Sequence, residues 1–312
     1  MPELPEVQTI VNDLNQHLSG KTIRAIKVYA AKSVAPSVFA KATADKSAKK
    51  FQQLLLNKKV KSVNRLAKMI VFDLGSLIML GHLKMTGQMI LFDKNKIFAG
   101  GHPLKESPND LPNKFTRCEF DFSGLSAVAS GPTARRAAKA DSTKLYFNDM
   151  RRFGWLKVLT LPEFKKVKDK SGIEPLSKDF TLATFKNILI HKAKSTIKQT
   201  LLEQKYLVGI GNIYADEALF AARIKPQRRV KTLTDTEIKK LQLAIVRILK
   251  LAVAKNGTTF RDYVNGYGRQ GGFAKYLKVY GRGGQKCVVC HQTLHKTKVG
   301  GRGTVYCENC QK

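Results

Sequence analysis

The chain opens Met-Pro-Glu-Leu-Pro-Glu, and these residues can do chemistry together. An initiator Met followed by Pro is readily trimmed, which would leave Pro2 with a free secondary α-amine. With an α-amino pKa of roughly 8, part of that amine is neutral at physiological pH. A neutral secondary amine adds to a sugar C1′ or a carbonyl and gives an iminium, the electron sink that β-elimination needs. Glu3 stands beside it and can pass protons. The same residues also suit an ordinary helix start, with Glu3 and Glu6 as acids favoured near a helix N-terminus. Alone, this opening leaves both readings open.

A second chemical cluster closes the chain. Cys287-x2-Cys290 and Cys307-x2-Cys310 have the spacing of a four-cysteine zinc site. Thiolates fill every position, so one Zn2+ there is structural and keeps no open coordination site for catalysis. His291 and His295 lie nearby and are surplus. Between the pairs, Lys296 to Tyr306 reads as a hairpin with Arg302 at its tip, where an exposed cation can meet phosphate. The remaining cysteine, Cys118, shares a strand face with Phe120 and Phe122, opposite Arg117, Glu119 and Asp121, and reads as a core thiol.

The elements that must position these groups change in texture along the chain. Val7, Ile10, Val11, Leu14 and Leu18 recur at helical spacing between Pro5 and Gly20, which predicts a helix that pins the N-terminus. Strand-like runs follow at about 21–29, 58–64, 68–74, 76–83, 87–92, 115–122, 144–149 and 153–159. With turn signals between them and no helical repeat, they predict an antiparallel sandwich or barrel. Residues 31–50, rich in Ala, Ser and Lys, and the low-complexity basic stretch 126–143 read as poorly ordered surface insertions.

Beyond about residue 160 the pattern turns helical, over 181–191, 195–204, 213–222 and 235–255. Leu207 to Tyr214 sets Gly209, Gly211 and Asn212 just before a helix. Backbone amides there can hold a phosphate, or the segment can be a plain packing joint. Residues 256–286 are glycine-rich and suit a mobile loop leading into the last module.

Composition narrows the partner. The 312 residues carry 56 Lys and Arg against 23 Asp and Glu, a net charge of +33, which calls for a polyanion. A hydrophobic content of 43% excludes global disorder. No apolar run reaches membrane-spanning length and the start is not a signal peptide, so no membrane partner and a cytoplasmic location are expected. In that compartment paired cysteines point to metal rather than disulfide.

Six motifs in order carry a resemblance: Met1-Pro-Glu-Leu-Pro-Glu-Val7, His82-Leu-Lys-Met-Thr-Gly87, Asp149-Met-Arg-Arg-Phe-Gly154, Gly209-Ile-Gly-Asn-Ile-Tyr-Ala-Asp-Glu217, Val279-Tyr-Gly-Arg282 and the terminal finger. Together they closely resemble bacterial formamidopyrimidine-DNA glycosylase, also called 8-oxoguanine-DNA glycosylase, from residue 1 to 312 apart from the two insertion-like stretches. The resemblance implies an α+β fold. Residues 1–160 would form a catalytic antiparallel β-sandwich with an N-terminal helix, and 161–265 a helical helix-two-turn-helix DNA-binding domain. Residues 266–312 would hold the zinc finger and much of a lesion-capping loop, about Asn265 to Phe273.

It also implies a monomeric, nucleoid-associated bifunctional glycosylase and abasic-site lyase of base excision repair. Such an enzyme acts on double-stranded DNA containing oxidised purines or abasic sites, through a Schiff base on Pro2 and successive β- and δ-elimination. By the resemblance Pro2 is the nucleophile, Glu3 its acid/base partner, and Glu6 part of the lesion pocket. Lys68 contacts phosphate next to the lesion and Lys198 lies near the active site, although locally the first reads as a basic surface residue and the second as part of a solvated helix face. Asn212 and Arg302 clamp phosphates around the flipped nucleotide, and Lys68 and Arg302 count among the catalytic groups.

Met85, Arg151 and Phe153 would fill the gap that the flipped base leaves, a role with a physical reason, since a stacked base cannot offer its C1′ to a buried amine. From the residues alone, Met85 and Phe153 would be core. Two departures stand out: Phe115-Thr-Arg117 where the family usually has His-x-His, and Met150 where it usually has Pro. A glycosylase for oxidised pyrimidines and a non-catalytic DNA- or RNA-binding protein are the competing readings.

Overall fold

The computed structural model describes residues 1–36, 44–93, 96–101, 110–122, 143–258 and 271–312. The chain forms two compact units. The first comprises Met1–Pro2, Glu6–Asp169 and Thr258–Gly271, and the second Glu3–Pro5, Lys170–Gly257 and Gly272–Lys312. The stretch 126–142 and residues 265–270 of the expected capping loop lie outside the described residues.

In the first unit, strands β1 (Ala25–Val28), β8 (Thr116–Asp121), β9 (Thr143–Asp149), β6 (Gly87–Asp93) and β7 (Lys96–Gly101) pair in that order as one sheet. Strands β2 (Val34–Ala35), β10 (Trp155–Thr160), β5 (Leu77–His82), β4 (Met69–Asp73) and β3 (Ser62–Leu66) form the other. Every pairing is antiparallel except the short one between β2 and β10. Alternate residues of both sheets meet in one buried cluster: Met89, Leu91, Cys118, Phe120, Leu145 and Phe147 from the first, Ile70, Phe72, Met79, Leu156 and Val158 from the second. That is the period-two pattern of a sandwich. Cys118 sits in this core as expected, and burial pushes its thiol pKa up.

Helix α1 (Leu4–Leu18) buries Val7, Ile10, Val11, Leu14 and Leu18. It runs out just before Gly20, whose φ of +86° is the left-handed geometry that favours glycine. Ile10 packs so closely on Gly100 of β7 that a Cβ there would stand 2.7 Å from its Cγ1.

The stretch 31–50 is not simply an insertion. Ser33 and Val34 are buried, and helix α2 (Ala44–Leu55) turns Ala48, Phe51 and Leu55 into the sandwich core. These residues have i, i+3, i+7 spacing, a stripe narrow enough to be hidden by the Ala, Ser and Lys around it. Helix α3 (Leu161–Asp169), also unexpected, lays Phe164 and Val167 against Val71, Ile78, Leu80 and Leu159 on the outer face of the second sheet.

The second unit is helical. Helices α4 (Leu182–Ile190) and α5 (Ile197–Leu202) begin at Thr181 and Thr196, whose hydroxyls cap the first turn. Helix α6 (Asn212–Ala221) starts after Gly211, and α7 (Asp235–Ala254) opens with a Thr234–Glu237 capping box. Their apolar faces share a core that includes Phe185, Leu201, Tyr214, Leu219, Leu241 and Ile245. The hairpin of β11 (His295–Val299) and β12 (Arg302–Tyr306) closes the unit.

Candidate active site and nucleic-acid interface

In the first unit two short loops leave neighbouring strands. The turn from β5 to β6 carries Met85, with Lys84 at φ +51° and the Gly87 N–H donating to the Leu83 carbonyl at 2.8 Å. The loop from β9 to β10 carries Arg151, Arg152 at φ +57° and Phe153. Met85 is 45% exposed and Phe153 54%, so neither is core. The Arg151 guanidinium lies 4.9 Å from the Phe153 ring centre.

Cations gather on the same unit. Lys68 is not a surface residue but buried, in the β3–β4 turn. Ala67 there has φ +56°, and Arg65 braces the turn by donating to the Ala67 carbonyl at 3.0 Å and to Gln8 Oε1 at 2.8 Å. His82 accepts the Lys84 N–H on Nδ1 at 3.0 Å, which requires the tautomer with hydrogen on Nε2. Burial, then the charges of Lys84 and Lys68, hold its pKa down at about 3, so the ring is neutral. Lys157 reaches over Trp155 at 4.7 Å, and burial followed by the charge of Lys84 lowers its pKa. Such crowding of like charges is a feature of an anion site. Sequence reading passed over His82, Lys84 and Lys157, although two of them lie inside a quoted motif.

Glu6 is buried and accepts the Thr258 N–H at 2.8 Å. It therefore tethers the start of the glycine-rich segment to the first turn of α1.

In the second unit, Glu3 accepts the Gly211 N–H at 2.7 Å and the Ile213 N–H at 3.0 Å, one on each carboxylate oxygen. The start of α6, read from sequence as able to hold a phosphate, is thus filled by this chain's own carboxylate. The donors and the helix dipole suit either anion. Leu4 N–H donates to the Gly209 carbonyl at 3.0 Å, and Gly209, at φ +92°, has Leu4 where a Cβ would go. Pro2, next in the chain, is buried.

Asn212 and Arg302 belong to one polar assembly. Gly300 and Gly301, at φ +56° and +74°, form the turn that presents exposed Arg302. Asn212 Nδ2 donates to the Gly303 carbonyl at 2.8 Å. Lys198, far from lying on a solvated helix face, is fully buried. Its Nζ donates to Thr304 Oγ1 at 2.7 Å and to the Gly303 carbonyl at 3.1 Å, and pairs with Asp216. Asp216 Oδ2 in turn accepts the Val305 N–H at 3.2 Å. Burial lowers the Lys198 pKa and lifts that of Asp216 to about 6, so desolvation outweighs the mutual attraction. Burial and then the Glu3 charge raise the Tyr280 pKa, and its hydroxyl bonds to Asn212. Tyr280 and Asp216 carried no sequence-level role.

The sulfurs of Cys287, Cys290, Cys307 and Cys310 lie within 4.8 Å of one another. Tetrahedral Zn–S bonds of about 2.3 Å require S···S separations near 3.8 Å, so the donor set fits one structural zinc. Val289 N–H donates to Cys287 Sγ at 3.4 Å, and Gln311 accepts the Cys307 N–H at 2.8 Å, the outer-shell support expected around thiolate ligands. No helix among the described residues is long and apolar enough to cross a membrane.

Residues 1–156 match the family pattern described as formamidopyrimidine-DNA glycosylase N-terminal domain, 171–264 the formamidopyrimidine-DNA glycosylase H2TH domain, and 284–312 a zinc finger found in FPG and IleRS. The chain is 37% identical to a formamidopyrimidine-DNA glycosylase of Cytobacillus firmus, with all of each chain covered. It is similar in structure to Lactococcus lactis Fpg bound to DNA containing an abasic site, with a TM-score of 0.79, 27% identity and 99% of each chain covered. The same enzyme bound to DNA containing N7-benzyl-Fapy-dG also gives 0.79, with 27% identity and complete coverage of both chains.

Proposed function

The chain belongs to the formamidopyrimidine-DNA glycosylase family, and from that membership we propose that it excises oxidised purines from duplex DNA in base excision repair and then cuts the strand as an abasic-site lyase. Its substrates are 8-oxoguanine and formamidopyrimidine lesions. Residues 1–160 serve as catalytic domain, 161–265 as DNA-binding domain, and 266–312 as capping loop and finger.

With Met1 removed, the Pro2 amine attacks C1′ of the flipped nucleotide. The glycosidic bond breaks and the base leaves with its electron pair, gaining a proton. Glu3 takes the proton that the Pro2 amine sheds on attack and hands it to O4′ as the C1′–O4′ bond opens, leaving an iminium between Pro2 and C1′. Loss of the C2′ proton expels the 3′ phosphate, and a second elimination expels the 5′ phosphate. The observation that carries this reading is Glu3 itself, a buried carboxylate held by two helix amides one residue from the amine it must serve.

In the first unit, Met85 is a flexible apolar plug, Phe153 a flat wedge, and Arg151 a donor to the orphaned partner base; their exposure supports these roles. Lys68, with His82, Lys84 and Lys157 nearby in the same unit, meets backbone phosphate. Asn212 and Arg302 clamp the phosphates around the lesion, Lys198 supports the hairpin that carries Arg302, and Glu6 lines the lesion pocket. The zinc, held by the four cysteines, supplies only rigidity. A net charge of +33 adds sequence-independent DNA affinity with steep salt dependence and, with it, nucleoid association.

Strand cutting tests this directly. Duplexes containing 8-oxoguanine opposite cytosine should be cut, while undamaged duplexes stay whole. Cutting confined to dihydrothymine duplexes would assign the chain to oxidised pyrimidines instead.

A further inference from the structure

Asp149 is completely buried and ends β9, where it is paired with Gly87 at the start of β6. Its carboxylate touches both void-filling loops. Oδ1 accepts a short hydrogen bond from the Thr86 hydroxyl and a longer one, 3.3 Å, from the Arg151 N–H. Oδ2 accepts the Gly154 N–H at 2.6 Å. The Thr86 oxygen also accepts the Arg151 N–H, at 3.0 Å, so the residue after Met85 bonds directly to the loop of Arg151 and Phe153. Behind this, Arg117 is buried and donates from Nε at 2.9 Å and Nη2 at 2.7 Å to the Asp149 carbonyl. Arg117 is one of the departures from the family pattern. Gly154 has no room for a side chain, since a Cβ would lie 2.8 Å from Phe147 Cζ and 3.1 Å from Asp149 Oδ2.

These bonds go to backbone and to Thr86, and leave Met85, Arg151 and Phe153 exposed. Each loop contains a non-glycine residue at positive φ, Lys84 and Arg152, a conformation that persists only when its surroundings enforce it. We propose that Asp149, bridged to Thr86 and braced by Arg117, is a positioning node that fixes the Met85 turn and the Arg151–Phe153 loop relative to each other, so that the three side chains enter the duplex as one unit. The proposal rests on the void-filling role assigned above. A node of this kind speeds eviction of a paired base and matters little where no base remains to evict.

Thr86→Val removes the bridging hydroxyl at nearly constant volume and leaves the Asp149 bonds to Gly154 and Arg117 in place; Thr86→Ser restores the hydroxyl. The measurement is single-turnover excision of 8-oxoguanine opposite cytosine, against strand cleavage of a preformed abasic duplex, with the melting temperature of each protein. The expected result for Thr86→Val is a loss of at least about tenfold in the excision rate at saturating enzyme, abasic cleavage within about twofold of wild type, and recovery in Thr86→Ser. Unchanged excision would overturn the proposal. So would an equal loss on both substrates, accompanied by a fall in melting temperature, which marks a merely structural bond. Wild-type protein that cuts neither substrate would instead overturn the glycosylase reading, and the node with it.

Discussion

Glu3 accepts the backbone N–H of Gly211 at 2.7 Å, across 208 positions of sequence. A carboxylate at one end of the chain is therefore oriented by the first amides of helix α6. Because Gly211 has no Cβ, the carboxylate can come this close; one built there would stand 2.4 Å from Glu3 Cδ and Oε1.

Gly211→Ala should accordingly displace Glu3 while leaving the hydrophobic core of the second unit intact. Cleavage of an abasic duplex is expected to fall about 100-fold, the scale of a misplacement by roughly an ångström. Circular dichroism and the melting curve should stay close to wild type, and a variant that cleaves at the wild-type rate would dissociate Glu3 geometry from catalysis.

Removing Lys198 leaves the Asp216 carboxylate buried without its partner. Lys198→Met should cost about 3–5 kcal/mol in urea unfolding at pH 8. The cost should be smaller at pH 5, because Asp216, at about 6 even with lysine present, then takes up a proton. Lys198→Met combined with Asp216→Leu should recover most of the stability but not DNA affinity, since the Arg302 hairpin keeps fewer anchors.

His82 sets a pH dependence of known sign. Its pKa is about 3 in the folded chain against 6.5 as reference, so between those values the unfolded chain binds a proton that the folded chain refuses. Its contribution is complete above pH 6.5 and is lost as the pH falls toward 3. From pH 6.5 to 5 the loss is on the order of 2 kcal/mol. His82→Gln should flatten that slope in urea titrations at the two pH values; an unchanged slope would mean that His82 titrates normally.

Zinc content should be one ion per chain. Chelation should release it, increase amide hydrogen exchange across residues 284–312, and abolish tight binding to abasic DNA, because Arg302 is presented by that module. Full DNA affinity in metal-free protein would remove the finger from the interface.

Local periodicity made much of this fold legible. The α1 stripe from Val7 to Leu18 and the alternation around Cys118 each report a buried face directly. Helix α2 stayed hidden because only Ala48, Phe51 and Leu55 face the core, and β7 because it ends in Gly100 and Gly101, which carry no apolar signal. At the site, the four cysteines were readable from their spacing, and the structure brings their sulfurs together. Pairings over long separations were not: nothing near Lys198 announces Asp216, and nothing near Gly211 announces Glu3. The start of α6 was read as able to hold a phosphate or as a plain packing joint; its amides instead hold the Glu3 carboxylate, an anion that nothing in the local sequence names.

Borohydride trapping decides whether Pro2 is the nucleophile. Protein with its N-terminus verified as Pro2 is mixed with an 8-oxoguanine:cytosine duplex and with an abasic duplex, with Pro2→Gly and Glu3→Gln alongside. A covalent adduct is expected on both substrates, mapped by peptide sequencing to Pro2. No adduct on either would contradict this assignment and leave a protein that binds DNA without cutting it.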